Sequence, residues 1–109
     1  MATEITTLQM YNMIKKIDFG EKCVFLKFGG PWCKACKDLD KNIECVPDTV
    51  IYEINVENVE FESFLIENNV YSIPDTIITY KSNEVRFQGV RTPDEISEMI
   101  TTIKDNHVS

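Results

Sequence analysis

One run, Cys23-Val24-Phe25-Leu26-Lys27-Phe28, limits the folds open to this chain. It is almost continuously apolar, rich in β-branched and aromatic side chains, and too short for a buried helix. It therefore reads as a strand covered on both faces. Strands of that kind belong to parallel sheets, whose crossover helices join one strand to the next and cover both sides. Gly29, Gly30 and Pro31 stop the strand. A helix is expected to start near Cys33 and to end before Pro47.

The other segments alternate in the same manner. Residues 4–6 make a short first strand. Leu8, Tyr11, Ile14 and Ile17 recur at a three-residue spacing, behind Thr7 as N-cap and ahead of Gly20. That pattern predicts an amphipathic helix over 8–17. Residues 49–56 read as a strand, and 59–68, with Phe61, Phe64 and Leu65, as a helix. Residues 75–80 and 84–89 read as a hairpin. The last helix, 92–104, is marked most strongly. Thr92 caps it, Pro93 fits its first turn, Glu95 completes a T-x-x-E capping box, and Ile96, Met99, Ile100 and Ile103 form its apolar stripe. The order β-α-β-α-β-α-β-β-α implies an α/β fold. Its central sheet is mixed, with helices on both faces and the hairpin as an antiparallel edge. A chain of 109 residues is long enough for one domain and not two, so residues 1–109 are expected to form one domain.

Charge and cysteine count narrow the function. Net charge is −7, with 11 Lys and Arg scattered among 18 acids, so no basic face for nucleic acid is expected. No stretch approaches the ~20 apolar residues of a membrane helix. The first ten residues lack a basic segment and an apolar core, so no secretory leader is read, and a cytoplasmic, monomeric protein is expected. In that reducing setting Cys23, Cys33, Cys36 and Cys45 should not form a structural disulfide framework. Only one C-x-x-C is present, and the lone His107, in a polar tail, reads as an exposed residue. The ligand set for a metal is thus incomplete, and no metal is expected. Cys23 should pack as a small hydrophobe, and Cys45, near a helix end, should be exposed.

The pair in Trp32-Cys33-Lys34-Ala35-Cys36 admits three readings: a metal half-site, an inert structural pair, or a redox dithiol. Its place at a strand-to-helix turn favours the last. The thiolate is the reactive form, and a free Cys titrates near 8.5. At a helix start, unpaired N–H groups and the helix dipole favour an anion by roughly 0.3–2 kcal/mol; Lys34 adds positive charge. Cys36 lies one turn on and deeper. Cys33 would attack a substrate disulfide, and Cys36 would then attack Cys33 and release the product. Trp32 offers apolar surface to a protein substrate.

The segments FGGPWCKACK, YSIPDTIITY and FQGV resemble those of the thioredoxin family, and the resemblance runs nearly end to end. It implies the thioredoxin fold and thiol–disulfide exchange on protein disulfides, with Cys33 attacking and Cys36 resolving. No bound cofactor is needed, since the cysteine pair stores the two electrons. A reductase such as thioredoxin reductase would supply them. The resemblance also implies a cis Ile73–Pro74 bond facing the dithiol, with the Ile73 backbone ready to pair with a substrate strand, and Gly89 and Val90 on the apolar rim. Three features depart from the family. Lys34-Ala35 replaces the usual Gly-Pro between the cysteines. Lys27 stands where a buried acid often lies behind the second cysteine. The helix after the motif is short and lacks its usual kinking proline. Lys27, Lys34 and Ala35 are therefore the expected redox-tuning residues. The Lys27 ammonium should reach water or pair with Asp38 or Asp40; left near Cys36, it would favour the thiolate and a more oxidising pair. An oxidase or isomerase of the same fold, or a binding adaptor without turnover, are the rival readings.

Overall fold

The computed structural model describes residues 2–106. Its elements are β1 (Thr3–Glu4), α1 (Leu8–Ile14), β2 (Cys23–Gly29), α2 (Lys34–Glu44), β3 (Thr49–Asn55), a 3₁₀ turn (Val59–Phe61) leading into α3 (Glu62–Glu67), β4 (Asp75–Tyr80), β5 (Asn83–Gln88) and α4 (Pro93–Asp105). The strands form one sheet in the order β1-β3-β2-β4-β5. β3 pairs in parallel with both β1 and β2, whereas β2–β4 and β4–β5 are antiparallel. The apolar run is thus the central strand, and helices lie on both faces of the sheet.

Alternation along β2 divides the core. Cys23 and Phe25 point to the face covered by α2 and α4, where they meet Leu39, Ile43, Ile96 and Ile103. Phe28 points to the other face and joins Ile5, Ile54 and Phe61 under α1 and α3. Lys27 shares the parity of Phe25, so the pleat turns a lysine into the first of these layers.

Several element ends differ from expectation, for local reasons. α1 stops at Ile14 because the next amides, of Lys16 and Ile17, bond three residues back, to Met13 and Ile14, and Ile17 is left exposed. The segment 59–68 opens as a 3₁₀ turn capped by the Asn58 side chain, and its α-helical part ends at Glu67, with Asn69 at φ 55° soon after. The first strand covers Thr3–Glu4, although the Ile5 amide still bonds the Glu53 carbonyl at 2.8 Å. β5 starts one residue early and ends before Gly89, whose φ of 79° suits glycine.

Candidate active site

The C-terminal end of β2 delivers the chain to α2 through Gly30, Pro31 and Trp32. Cys33 is the N-cap of α2, with extended backbone (φ −85°, ψ 104°), and Lys34 is the first helical residue. The Cys33 Sγ accepts the Cys36 amide hydrogen at 3.1 Å, so the sulfur takes up one of the orphan N–H groups of the helix start. Cys33 and Cys36 form a disulfide, with Cα atoms 5.2 Å apart. Cys33 is 8% exposed and Cys36 1%, which makes Cys33 the sulfur nearer solvent. At two positions of the turn a side chain would force a neighbour to move. A Cβ on Gly29 would stand 2.6 Å from Cys36 Sγ, and one on Gly30 would run into the Trp32 ring. Trp32 itself is 52% exposed beside the disulfide. The Lys34 ammonium lies in solvent and pairs with Asp38 at 2.9 Å, so part of its charge is spent one turn along α2; Ala35 is half-buried.

Behind Cys36 the structure decides between the alternatives left open for Lys27. The side chain does not reach water, being 1% exposed. Its Nζ contacts Asp40 Oδ1 at 2.5 Å and Glu53 Oε1 at 2.9 Å, and donates to the Cys36 carbonyl at 3.2 Å. Of the two carboxylates expected from sequence, Asp40 is a partner and Asp38 is not, because Asp38 faces outward to Lys34. Glu53 was missed. It lies directly beside Lys27 in the parallel β2–β3 register, on the same face. The signal that would have found it is an acid at an inward parity in a strand whose other inward residue, Ile51, is buried. Lys27 Nζ thus pairs with a carboxylate and at the same time stays near Cys36.

Opposite Lys27 across the antiparallel ladder is Thr76, fully buried, whose Oγ1 has no hydrogen-bond partner, the only such buried side-chain atom among the described residues. The start of β4 lies at the same end of the sheet as the disulfide, since Asp75 pairs with Phe28. The Ile73–Pro74 peptide is cis, and the Gly89 amide donates to the Pro74 carbonyl at 2.9 Å, which brings Gly89 and exposed Val90 to that end. Ile73 is half-buried. Asp75, buried, receives Arg86 Nε at 2.9 Å and Nη2 at 2.6 Å, a bidentate pair that fixes the strand after Pro74.

Cys23 is fully buried, and burial pushes its thiol above the ordinary range; Cys45 is exposed. Among the described residues no cluster of His, Cys, Asp and Glu could hold a metal ion, and no helix is long and apolar enough to cross a membrane. His107 lies outside the described residues.

Residues 24–101 match the family model described as thioredoxin domain. Over 86 residues, 71% of this chain, the sequence is 30% identical to protein disulfide-isomerase 1 of Dictyostelium discoideum. The match takes in 24% of that relative, so the chain spans about a quarter of its length. Among solved structures, chloroplastic thioredoxin z superposes with a TM-score of 0.77 at 18% identity, covering 96% of each chain. The Drosophila melanogaster thioredoxin Deadhead gives 0.71 at 20% identity, over 94% of this chain and 99% of that one. A thioredoxin mutant from Halobacterium salinarum gives 0.73 at 15% identity, over 99% and 94%. At these identities the likenesses establish the fold.

Proposed function

From the premise that the chain belongs to the thioredoxin family, we infer that it is a thiol–disulfide oxidoreductase that reduces or exchanges disulfides in protein substrates. The observation that carries this is the Cys33–Cys36 disulfide at the start of α2, with Cys33 as the outer, N-cap sulfur. In the reduced protein, Cys33 attacks one sulfur of a substrate disulfide. A mixed disulfide forms and the first substrate thiolate leaves. Cys36 then attacks Cys33; the intramolecular disulfide forms, the second substrate thiolate leaves, and two electrons have passed to the substrate. Backbone N–H groups at the head of α2 favour the Cys33 thiolate. The exposed apolar surface of Trp32 and Val90 suits a polypeptide substrate, and the backbone around Ile73 supports strand-like pairing with it. The pair holds the electrons itself, so the reaction needs no bound cofactor, and a reductase restores the dithiol. The reducing direction is the one we favour, because Asp40 and Glu53 beside Lys27 offset the charge that would otherwise favour a Cys36 thiolate.

The test is reduction of insulin disulfides by the reduced protein, beside the Cys36→Ser variant. The native chain should turn over with dithiothreitol, and Cys36→Ser should accumulate mixed disulfides visible on non-reducing gels. A native chain that binds a partner yet neither reduces nor traps disulfides would mark it as an adaptor.

A further inference from the structure

The family's buried acid is replaced by Lys27, but an acid is still present behind Cys36. Glu53 Oε1 and Cys36 Sγ both lie within 3.2 Å of one point, the position that a Cβ on Gly29 would occupy. Gly29 keeps that space clear of side chain, so nothing of its own separates the carboxylate from the sulfur. We propose that Glu53, on β3, is the general base that takes the proton from Cys36 when it attacks the mixed disulfide, and that Lys27 is the positioning residue that holds the carboxylate there. This rests on the exchange chemistry inferred above.

The geometry supports each part. Glu53 is tied to Lys27 at 2.9 Å, and Lys27 is tied to the Cys36 carbonyl, so the ammonium fixes the carboxylate relative to the turn of helix that carries the thiol. The Glu53 side chain is 16% exposed, which gives an acquired proton a way out to water, whereas Cys36 is sealed. The charged and titratable groups facing Glu53 are Lys27 from β2, Cys36 and Asp40 from α2, and Glu4, its parallel-register neighbour on β1. Asp40 supplies a second counter-charge for the ammonium, so Glu53 is not required merely to neutralise it. In the step itself, the Cys36 S–H bond breaks and the proton passes to the Glu53 carboxylate. The sulfur electron pair forms the Cys36–Cys33 bond, the Cys33–substrate bond breaks, and its electron pair leaves on the substrate sulfur.

Reaction with 5,5′-dithiobis(2-nitrobenzoate) separates the two attacks, in a Cys45→Ser background that removes the exposed thiol. The first equivalent of thionitrobenzoate reports Cys33 and the second reports Cys36. Glu53→Gln should leave the first phase within about twofold and slow the second by about tenfold or more near pH 7. The gap should close toward pH 9–10, where hydroxide removes the proton. Because Asp40 still pairs Lys27, this variant leaves no bare buried cation. The charge-free pair Lys27→Met with Glu53→Gln should show the same slow second phase, and it serves if the single variant fails to fold. A second phase in Glu53→Gln with native rate and pH profile overturns the role of Glu53 and leaves the exchange reading intact. Absence of any second equivalent from the native chain overturns both.

Discussion

Two helix starts in this molecule share one geometry and differ in what occupies it. At α4, Thr92 Oγ1 accepts the Glu95 amide at 3.2 Å, and Glu95 reaches back to the Thr92 amide at 2.9 Å. Pro93 occupies the first turn, with Asp94 and Glu95 adding acidic charge. Every feature opposes fraying. At α2, Cys33 Sγ accepts the Cys36 amide at 3.1 Å, also three residues on, but sulfur is a weak acceptor and the first turn holds no acid. The α2 start gives up capping strength, and the N–H groups and dipole that α4 satisfies with carboxylates remain available to a sulfur anion. The same backbone device stabilises the fold in one place and activates a nucleophile in the other.

The largest effect is expected from exchanging the capping atom at α2. Cys33→Ser puts a preferred N-cap hydroxyl in place of the sulfur. Insulin reduction should fall to background, while the urea midpoint, compared with native protein under reducing conditions, should hold or rise. A clear loss of stability would show that sulfur is the better cap here and break the comparison.

At α4 the expectation is reversed. Thr92→Ala should cost about 1 kcal/mol of stability in urea denaturation and leave exchange rates unchanged. The box also carries a pH signature. The Thr92 backbone N–H bonded to Glu95 holds that carboxyl below its ordinary value. A depressed folded value means that this stabilisation is fully present above the ordinary carboxylate range and is lost as pH falls through the depressed value. Glu95→Gln should flatten that part of the stability–pH curve.

The smallest effect comes from making α2 resemble α4. Lys34→Glu places an acid in the first turn beside Cys33 and removes the partner of Asp38. Alkylation of Cys33 in the reduced protein near neutral pH should slow by roughly twofold to fivefold, the size of a helix-terminus charge effect. An unchanged rate would mean that the backbone N–H groups alone set the reactivity of Cys33.

Much of the molecule is legible in its chain because the causes are local. Six consecutive residues, Cys23 to Phe28, identify the central strand through apolar content. Thr92, Pro93 and Glu95 declare their helix through contacts no more than three residues apart. Cys33 and Cys36 are brought together by a single helical turn. What the chain alone left open depends on register and on which face of the sheet a side chain meets. The end of α1 was misplaced because Ile17 has the right spacing but no core to enter. Lys27 was seen as anomalous, but its partners could not be chosen, since Asp38 and Asp40 are near in sequence while Glu53 becomes a neighbour only when β2 and β3 pair in parallel. The approach of Gly89 to Pro74 likewise follows from the antiparallel pairing of β4 and β5. Local spacing carries the elements and the dithiol, whereas the charges behind the dithiol are set by long-range pairing, in which a shift of one residue would turn Glu53 to the opposite face.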